Sequence, residues 1–271
     1  MFAREESMMD PVLNLAARRW GSKDYEWVLL REQQAETSIP DVVVARVAIG
    51  ALHQRSADGH LRPLNRSELL TLRSLARTKA ATLTTVSRRS YLGEESAARI
   101  LRRLEREGRV DRSATGSWIR TGPLPCIVTH AVSLEVKRSD WRKALFQARG
   151  YRAFANEAYV VFDGAFEARF RRRVGAYAHY GIGLIAMDAA TLRTTSLLPA
   201  QASRPRDPLA AALFGERVLG ALLGFESRST PQSSLPGASA QIAHQEVVQQ
   251  IGSLLAALRP RLVACAGLQA G

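Results

Sequence analysis

Apolar and polar positions recur along this chain with two different periods, and the switches between them mark its elements. Residues 10–20 open with Asp10 as a cap and Pro11 at the first helical position, then carry apolar side chains at helical spacing as far as Trp20, which predicts a helix. Residues 25–33 read as a strand. Pro40-Asp41 then opens the run Val42-Val43-Val44-Ala45-Arg46-Val47, whose β-branched density predicts a buried strand. After Gly50 the pattern changes, and His53 to Pro63 is polar and punctuated by Gly59 and Pro63, as at a module boundary. Three helical segments follow, at about 68–78 with Asn65 or Ser67 as cap, at 83–91, and at 94–107, begun near Gly93 and stopped by Gly108. Residues 110–120 alternate in strand fashion around Ala114-Thr115-Gly116, a hairpin signal.

Beyond Pro123 and Pro125 the pattern predicts a strand at 127–136, a helix at about 140–154, strands at 159–162 and 183–188, and a helix at about 208–223. Strands alternating with helices predict an α/β core. Residues 226–239, rich in Ser, Pro and Gly, read as a linker, and 240–258 as a last helix able to pack on the core or on a second subunit. The expected organisation is therefore a first core segment at 1–52, an inserted module at 53–122, a second core segment at 123–225, and a linker with a C-terminal helix at 226–271.

Charge changes the picture more than composition does. With 271 residues and 46% apolar content the chain can bury an ordinary core, but its formal net charge of +13 draws it to polyanions. Nucleic acid is the leading partner; the competing explanation is that Arg-rich and Ala-rich usage reflects genome composition alone. Cys126 and Cys265 are far apart and lack close-set partners, so neither a disulfide framework nor a zinc cluster is expected, and a reducing cytoplasm is the expected compartment. The N-terminus has acidic residues where a signal peptide needs an apolar run, and no stretch approaches 18 apolar residues, so neither secretion nor a membrane span is expected. His53, His60, His130, His179 and His244 show no metal-ligand spacing.

Between Arg62 and Arg120 fourteen basic side chains face six acidic ones, a surplus suited to phosphate. Three helices followed by a hairpin is the order of a winged helix-turn-helix, and Ser96 to Val110 resembles its recognition helix running into the wing. Arg88, Arg89, Arg99, Arg102 and Arg103 are the candidates for DNA contact, with a merely solvated basic face as the alternative. Arg171-Arg172-Arg173 either extends a phosphate path or is ordinary surface. Trp141 and Phe146 are expected to be packing residues.

Metal-assisted phosphodiester hydrolysis needs carboxylates held close together on rigid elements, so that a hard divalent cation can bind phosphate and activate water. Asp41 stands at the start of one apolar strand and Glu135 near the end of another. Period-two alternation puts Glu135 and Lys137 on one face, with the Val136 carbonyl as a further oxygen donor. In Pro40-Asp41 and Glu135-Val136-Lys137 the chain resembles the PD-(D/E)XK nuclease superfamily. Asp140 to Tyr151 is similar to the Gln-x-x-x-Tyr helix of its RecB-type branch, and Tyr159 to Phe162 supplies the strand that follows. The resemblance spans roughly residues 10–50 and 125–190.

That resemblance implies an α/β fold with a PD-(D/E)XK-like core, a mixed central sheet flanked by helices, and here an inserted winged-helix domain. It implies that Asp41 and Glu135 bind Mg²⁺ or Mn²⁺, that Lys137 positions the attacking water or stabilises developing charge, and that Gln147 and Tyr151 orient the site. Glu32, nine residues before Asp41, is compatible with a further metal or supporting role. The chain departs from the family in the long separation of Asp41 from Glu135, which an inserted folded module accounts for. Otherwise Asp41 is unrelated to the site, and Asp111 or another upstream acid takes its place. The alternative for Glu135-Val136-Lys137 is an exposed strand edge with a solvated ion pair. The expected function is a metal-dependent DNA endonuclease or related phosphodiester hydrolase, possible as a homodimer on duplex DNA. The competing expectations are a non-cleaving DNA-binding regulator or adaptor on a nuclease-like scaffold, and processing of RNA or branched DNA.

Overall fold

A computed structural model describes residues 1–21, 27–31 and 39–223. The chain divides into two compact units: described residues up to 48 and from 128 to 214 form the first, and 49–127 with 215–223 belong to the second.

The first unit is built on a six-stranded sheet of β1 (Trp27–Arg31), β2 (Val42–Val47), β5 (Val128–Lys137), β6 (Glu157–Asp163), β7 (Gly183–Met187) and β8 (Thr194–Leu198), in the order β1-β2-β5-β6-β7-β8. The β5–β6 and β6–β7 pairs are parallel and the other three antiparallel, so this is a mixed sheet in an α/β unit. Helix α1 (Met9–Trp20) buries Met9, Val12, Leu15 and Ala16 against Val42, Val44, Val132, Leu134, Val136, Val161 and Ile185. Period two sends Ser133, Glu135 and Lys137 to the opposite face, where α6 (Trp141–Tyr151) packs on β5 and β6 through Ala144, Ala148 and Tyr151. Coverage on both faces is why β5 is buried continuously from Ala131 to Lys137 instead of alternating.

Three elements of this unit escaped the sequence pattern. Helices α7 (Glu167–Arg171) and α8 (Val174–His179) are too short to show a helical period, though they bury Phe170 and Tyr177. Strand β8 is an edge strand of Thr, Thr, Ser and two half-buried leucines, with no apolar face to signal it.

The second unit holds α2 (Ile49–Ala57), α3 (Arg66–Ser74), α4 (Leu83–Ser90) and α5 (Glu94–Arg106), with the antiparallel pair β3 (Val110–Arg112) and β4 (Trp118–Arg120). Asn65 and Glu68 close a capping box on α3, and Gly108, at φ +69°, ends the turn after α5. Residues 75–78, expected to be helical, are not: Leu75 leaves α3 in extended conformation, residues 77–79 bend, the Ala76 carbonyl accepts the Arg120 N–H, and Ala81 bridges Trp118. Pairing with the hairpin outweighs helix propensity there. Residues from 53, expected to be boundary, lie within α2, which buries Leu52 and Arg55. Helix α9 (Pro208–Leu222) runs from the first unit into the second, to which it contributes Glu216. No described helix is long and apolar enough to cross a membrane. The linker expected at 226–239, the helix expected at 240–258, His244 and Cys265 lie outside the described residues.

Candidate active site

The sheet register brings together residues 94 positions apart in sequence. Val42 opposes Leu134 in the antiparallel β2–β5 pair, so one step further Asp41 opposes Glu135, and directly opposed residues share a face. Asp41 Oδ2 accepts the Val136 N–H at 2.6 Å, which fixes the carboxylate against β5. Glu135 is fully buried. Its Oε1 lies 2.6 Å from Lys137 Nζ, its neighbour on the same strand face, and its Oε2 accepts the hydroxyl proton of Tyr151 from α6. The Tyr151 oxygen is also 3.2 Å from the Ile39 carbonyl, beside Asp41. Lys137 Nζ donates to the Val136 carbonyl at 3.0 Å and reaches Glu5 Oε2 at 3.4 Å, while the other oxygen of Glu5 accepts the Arg138 N–H at 3.3 Å.

Electrostatics follow from this crowding. Burial, and then the charge of Asp41, push the Glu135 carboxyl up to about 7 against the pull of Lys137 and Tyr151. Burial works against the Lys137 ammonium, yet the hydrogen bond and charge of Glu135, with Asp41 and Glu5, hold it above its usual value. Burial and the neighbouring Glu135 raise the Tyr151 hydroxyl, so it remains a proton donor at any physiological pH.

A divalent cation can be tested against the donor set. Asp41 and Glu135 are hard oxygen donors of the kind Mg²⁺ and Mn²⁺ select. Glu135 Oε1 is engaged by the Lys137 ammonium at 2.6 Å, whereas the buried Oε1 of Gln147 has no hydrogen-bond partner among the described residues. One unpartnered buried oxygen near two carboxylates is compatible with a cation's water shell. The donors are few, however: among the described residues no three His, Cys, Asp or Glu side chains gather as a metal group. The Val136 carbonyl is engaged by Lys137, and Glu32 lies outside the described residues. Gln147 and Tyr151 stand one turn apart on α6, with Gln147 hydrogen-bonded to the Tyr151 hydroxyl.

Sequence reasoning missed Glu5, a single acid in a segment without periodicity, and Asp163, a fully buried carboxylate at the end of β6. Asp163 is occupied structurally, accepting the N–H of Phe2 at 2.8 Å and of Ala165 at 3.0 Å. Phe146 corrects an expectation. It is 77% exposed, because on α6 it lies opposite the stripe of Ala144, Ala148 and Tyr151, so it is not a packing residue. Trp141 is half-buried, with the Arg173 and Arg142 guanidinium groups 4.8 and 5.4 Å from its ring centre.

In the second unit α5 buries Ala97, Leu101 and Leu104 and turns Arg99, Arg102 and Arg106 to solvent. Arg88 and Arg89 are exposed at the end of α4, Arg89 donating to the Ser74 carbonyl at 3.2 Å. Arg103 differs, since its Nη1 reaches the buried Glu68 Oε1 at 3.3 Å and joins the cluster of Arg62, Glu68, Glu107 and Arg109. Asp111 is exposed on β3 of this unit, where it pairs in register with Ile119. His60 Nε2 meets the Glu107 carbonyl at 3.0 Å and His130 meets Glu157 at 3.1 Å, so both have structural partners.

Comparison with family models, with curated proteins and with solved structures returns no match to this chain.

Proposed function

We propose that this chain is a divalent-metal-dependent nuclease of PD-(D/E)XK type that hydrolyses phosphodiesters in DNA. The second unit is read as a winged helix that holds the duplex. One observation carries the reading: Asp41 and Glu135, remote in sequence, are opposed on one sheet face beside the ammonium of Lys137. Asp41 and Glu135 would hold Mg²⁺ or Mn²⁺, which when bound supplies Lewis acidity toward the scissile phosphate and the attacking water. Lys137 places a fixed positive charge where negative charge develops on the phosphoryl oxygens. Tyr151 keeps Glu135 in one rotamer through its hydrogen bond, and Gln147 supports that hydroxyl. Arg88, Arg89, Arg99 and Arg102 are the phosphate-contacting candidates of the second unit, with α5 as its groove-directed helix. A cytoplasmic protein acting on duplex DNA is the setting that suits these parts. Since one site cuts one strand, double-strand scission would take two copies or two events.

A second reading has its own support. The Lys137–Glu135 contact at 2.6 Å satisfies both charges without a cation, and no group of three ligating side chains gathers among the described residues. A DNA-binding adaptor that keeps the scaffold without cutting is consistent with this. Incubation of supercoiled plasmid with the full chain in Mg²⁺ and in Mn²⁺ separates the two. The nuclease reading expects nicked or linear product that disappears in folded Glu135→Gln and Lys137→Ala variants. Absence of product across both metals and across duplex, single-stranded and branched substrates, with DNA binding intact, overturns it in favour of the adaptor.

A further inference from the structure

Two residues beyond Lys137 the chain turns into α6, and this turn, with α7 and the residues leading into α8, walls a cavity of about 430 Å³. A liquid water occupies about 30 Å³, so a phosphate with its adjoining sugar has room. The lining is electrically one-sided. Arg142, Arg169, Arg172 and Arg173 face it against the single carboxylate of Asp140, which is already committed as the α6 cap, accepting the Lys143 N–H at 3.1 Å. Among the described residues none of these four arginines has a carboxylate within salt-bridge distance. Arg171, between them in sequence, is drawn off by Glu167 at 2.6 Å, so the pattern is not one of indiscriminate charge.

Three of the four guanidinium groups are also held in place. Arg173 and Arg142 lie against the Trp141 ring, and Arg169 lies 5.4 Å from the Phe166 ring centre and donates to the Ser139 carbonyl at 3.4 Å. Stacking on a ring face orients a guanidinium while leaving its N–H edge for an anion. Four like charges around one space repel each other, and a bound oxyanion relieves that repulsion with charge-assisted hydrogen bonds.

We propose that this cavity is a phosphate subsite for a nucleic-acid strand, with Arg142, Arg169, Arg172 and Arg173 as its ligands and Trp141 as the platform that orders two of them. The assignment rests on the nuclease reading for its place in catalysis, because the subsite begins at the strand end that carries Lys137; binding itself needs no cleavage. The phosphate can be an internal diester or a strand-terminal monoester, since both present anionic non-bridging oxygens to the arginines.

The test is fluorescence anisotropy with labelled oligonucleotides bearing a 5′-phosphate or a 5′-hydroxyl, using full-length protein in the Glu135→Gln background so that no cleavage intervenes. The Arg169→Ala/Arg172→Ala pair is expected to weaken binding at least tenfold and to flatten the slope of log K against log salt by about 1 to 2, since each lost contact removes about 0.7 to 0.9. Arg169→Lys/Arg172→Lys should recover part of both. A preference for the 5′-phosphate that vanishes in the alanine pair assigns a terminal monoester; equal losses on both oligonucleotides assign an internal diester. Unchanged affinity and salt slope in the folded alanine pair overturn the subsite, whether or not the parent chain cuts DNA. Binding lost with the arginines in a chain that never cleaves sustains the subsite and removes the nuclease reading instead.

Discussion

Glu135 is buried beside the carboxylate of Asp41, and that crowding sets its protonation. Its carboxyl is pushed from 4.5 to about 7 by burial and by Asp41, so between those values the folded chain keeps a proton that the unfolded chain has released. The folded state then binds more protons, and stability falls as pH rises from about 4.5 to about 7. Thermal unfolding without divalent metal should show that decline, and Glu135→Gln should abolish it while leaving the protein at least as stable as the parent at pH 8. Mg²⁺ should raise Tm at pH 8 and have little effect at pH 5, where protons compete for the same oxygens. A parent chain whose Tm is flat over this range would refute the raised carboxyl. At this scale the shared face of Glu135 and Lys137 was legible from the strand period, and Asp41 and Tyr151 were legible only through the family resemblance. Glu5 was not, since it reaches Lys137 only through tertiary folding of the N-terminal segment.

Individual elements show where local pattern suffices and where neighbours decide. Helix α5 is capped, periodic and stopped by a left-handed glycine, so its residues and its basic face follow from sequence. Which of its arginines are free does not. Arg99→Ala and Arg102→Ala should each weaken DNA binding and lower the salt slope by about 0.9 without changing Tm. Arg103→Ala should instead lower stability, by about 1 kcal/mol, through its loss to the buried Glu68, a difference that parallel binding and melting curves would reveal. In the sheet, Gly183 has no room for a side chain: an added Cβ would lie 2.3 Å from the Tyr159 ring and 2.8 Å from the Ala200 nitrogen. Gly183→Ala is expected to cost about 1–3 kcal/mol in urea denaturation, and a cost near zero would mean that β7 and Tyr159 shift freely.

For the molecule as a whole, the second unit depends on a residue far along the chain. Glu216 receives Arg55 at 2.6 and 3.0 Å and the Leu64 N–H at 2.8 Å, with Arg55 and Glu216 both buried. Removing one member of a buried pair leaves an uncompensated charge, so Glu216→Ala should destabilise the second unit by about 3–5 kcal/mol. Limited proteolysis should then cut first between residues 49 and 127; cleavage unchanged from the parent would show that Arg55 finds another partner. A boundary drawn from composition at 53–122 omits this contact, because the stretch around Glu216 carries no signal beyond an apolar helix with one acid.

The sequence by itself determined the alternation of strands and helices, the basic segment after residue 62, and the pairing of Glu135 with Lys137 on one strand face, because these depend on periods of two and 3.6 residues and on local capping. Tertiary structure alone decided that Asp41 opposes Glu135, that Arg103 is tied while Arg99 is free, and that arginines from α6, α7 and the turn before α8 surround one cavity. Those outcomes arise from register and packing between segments far apart in the chain, where local propensity carries no information.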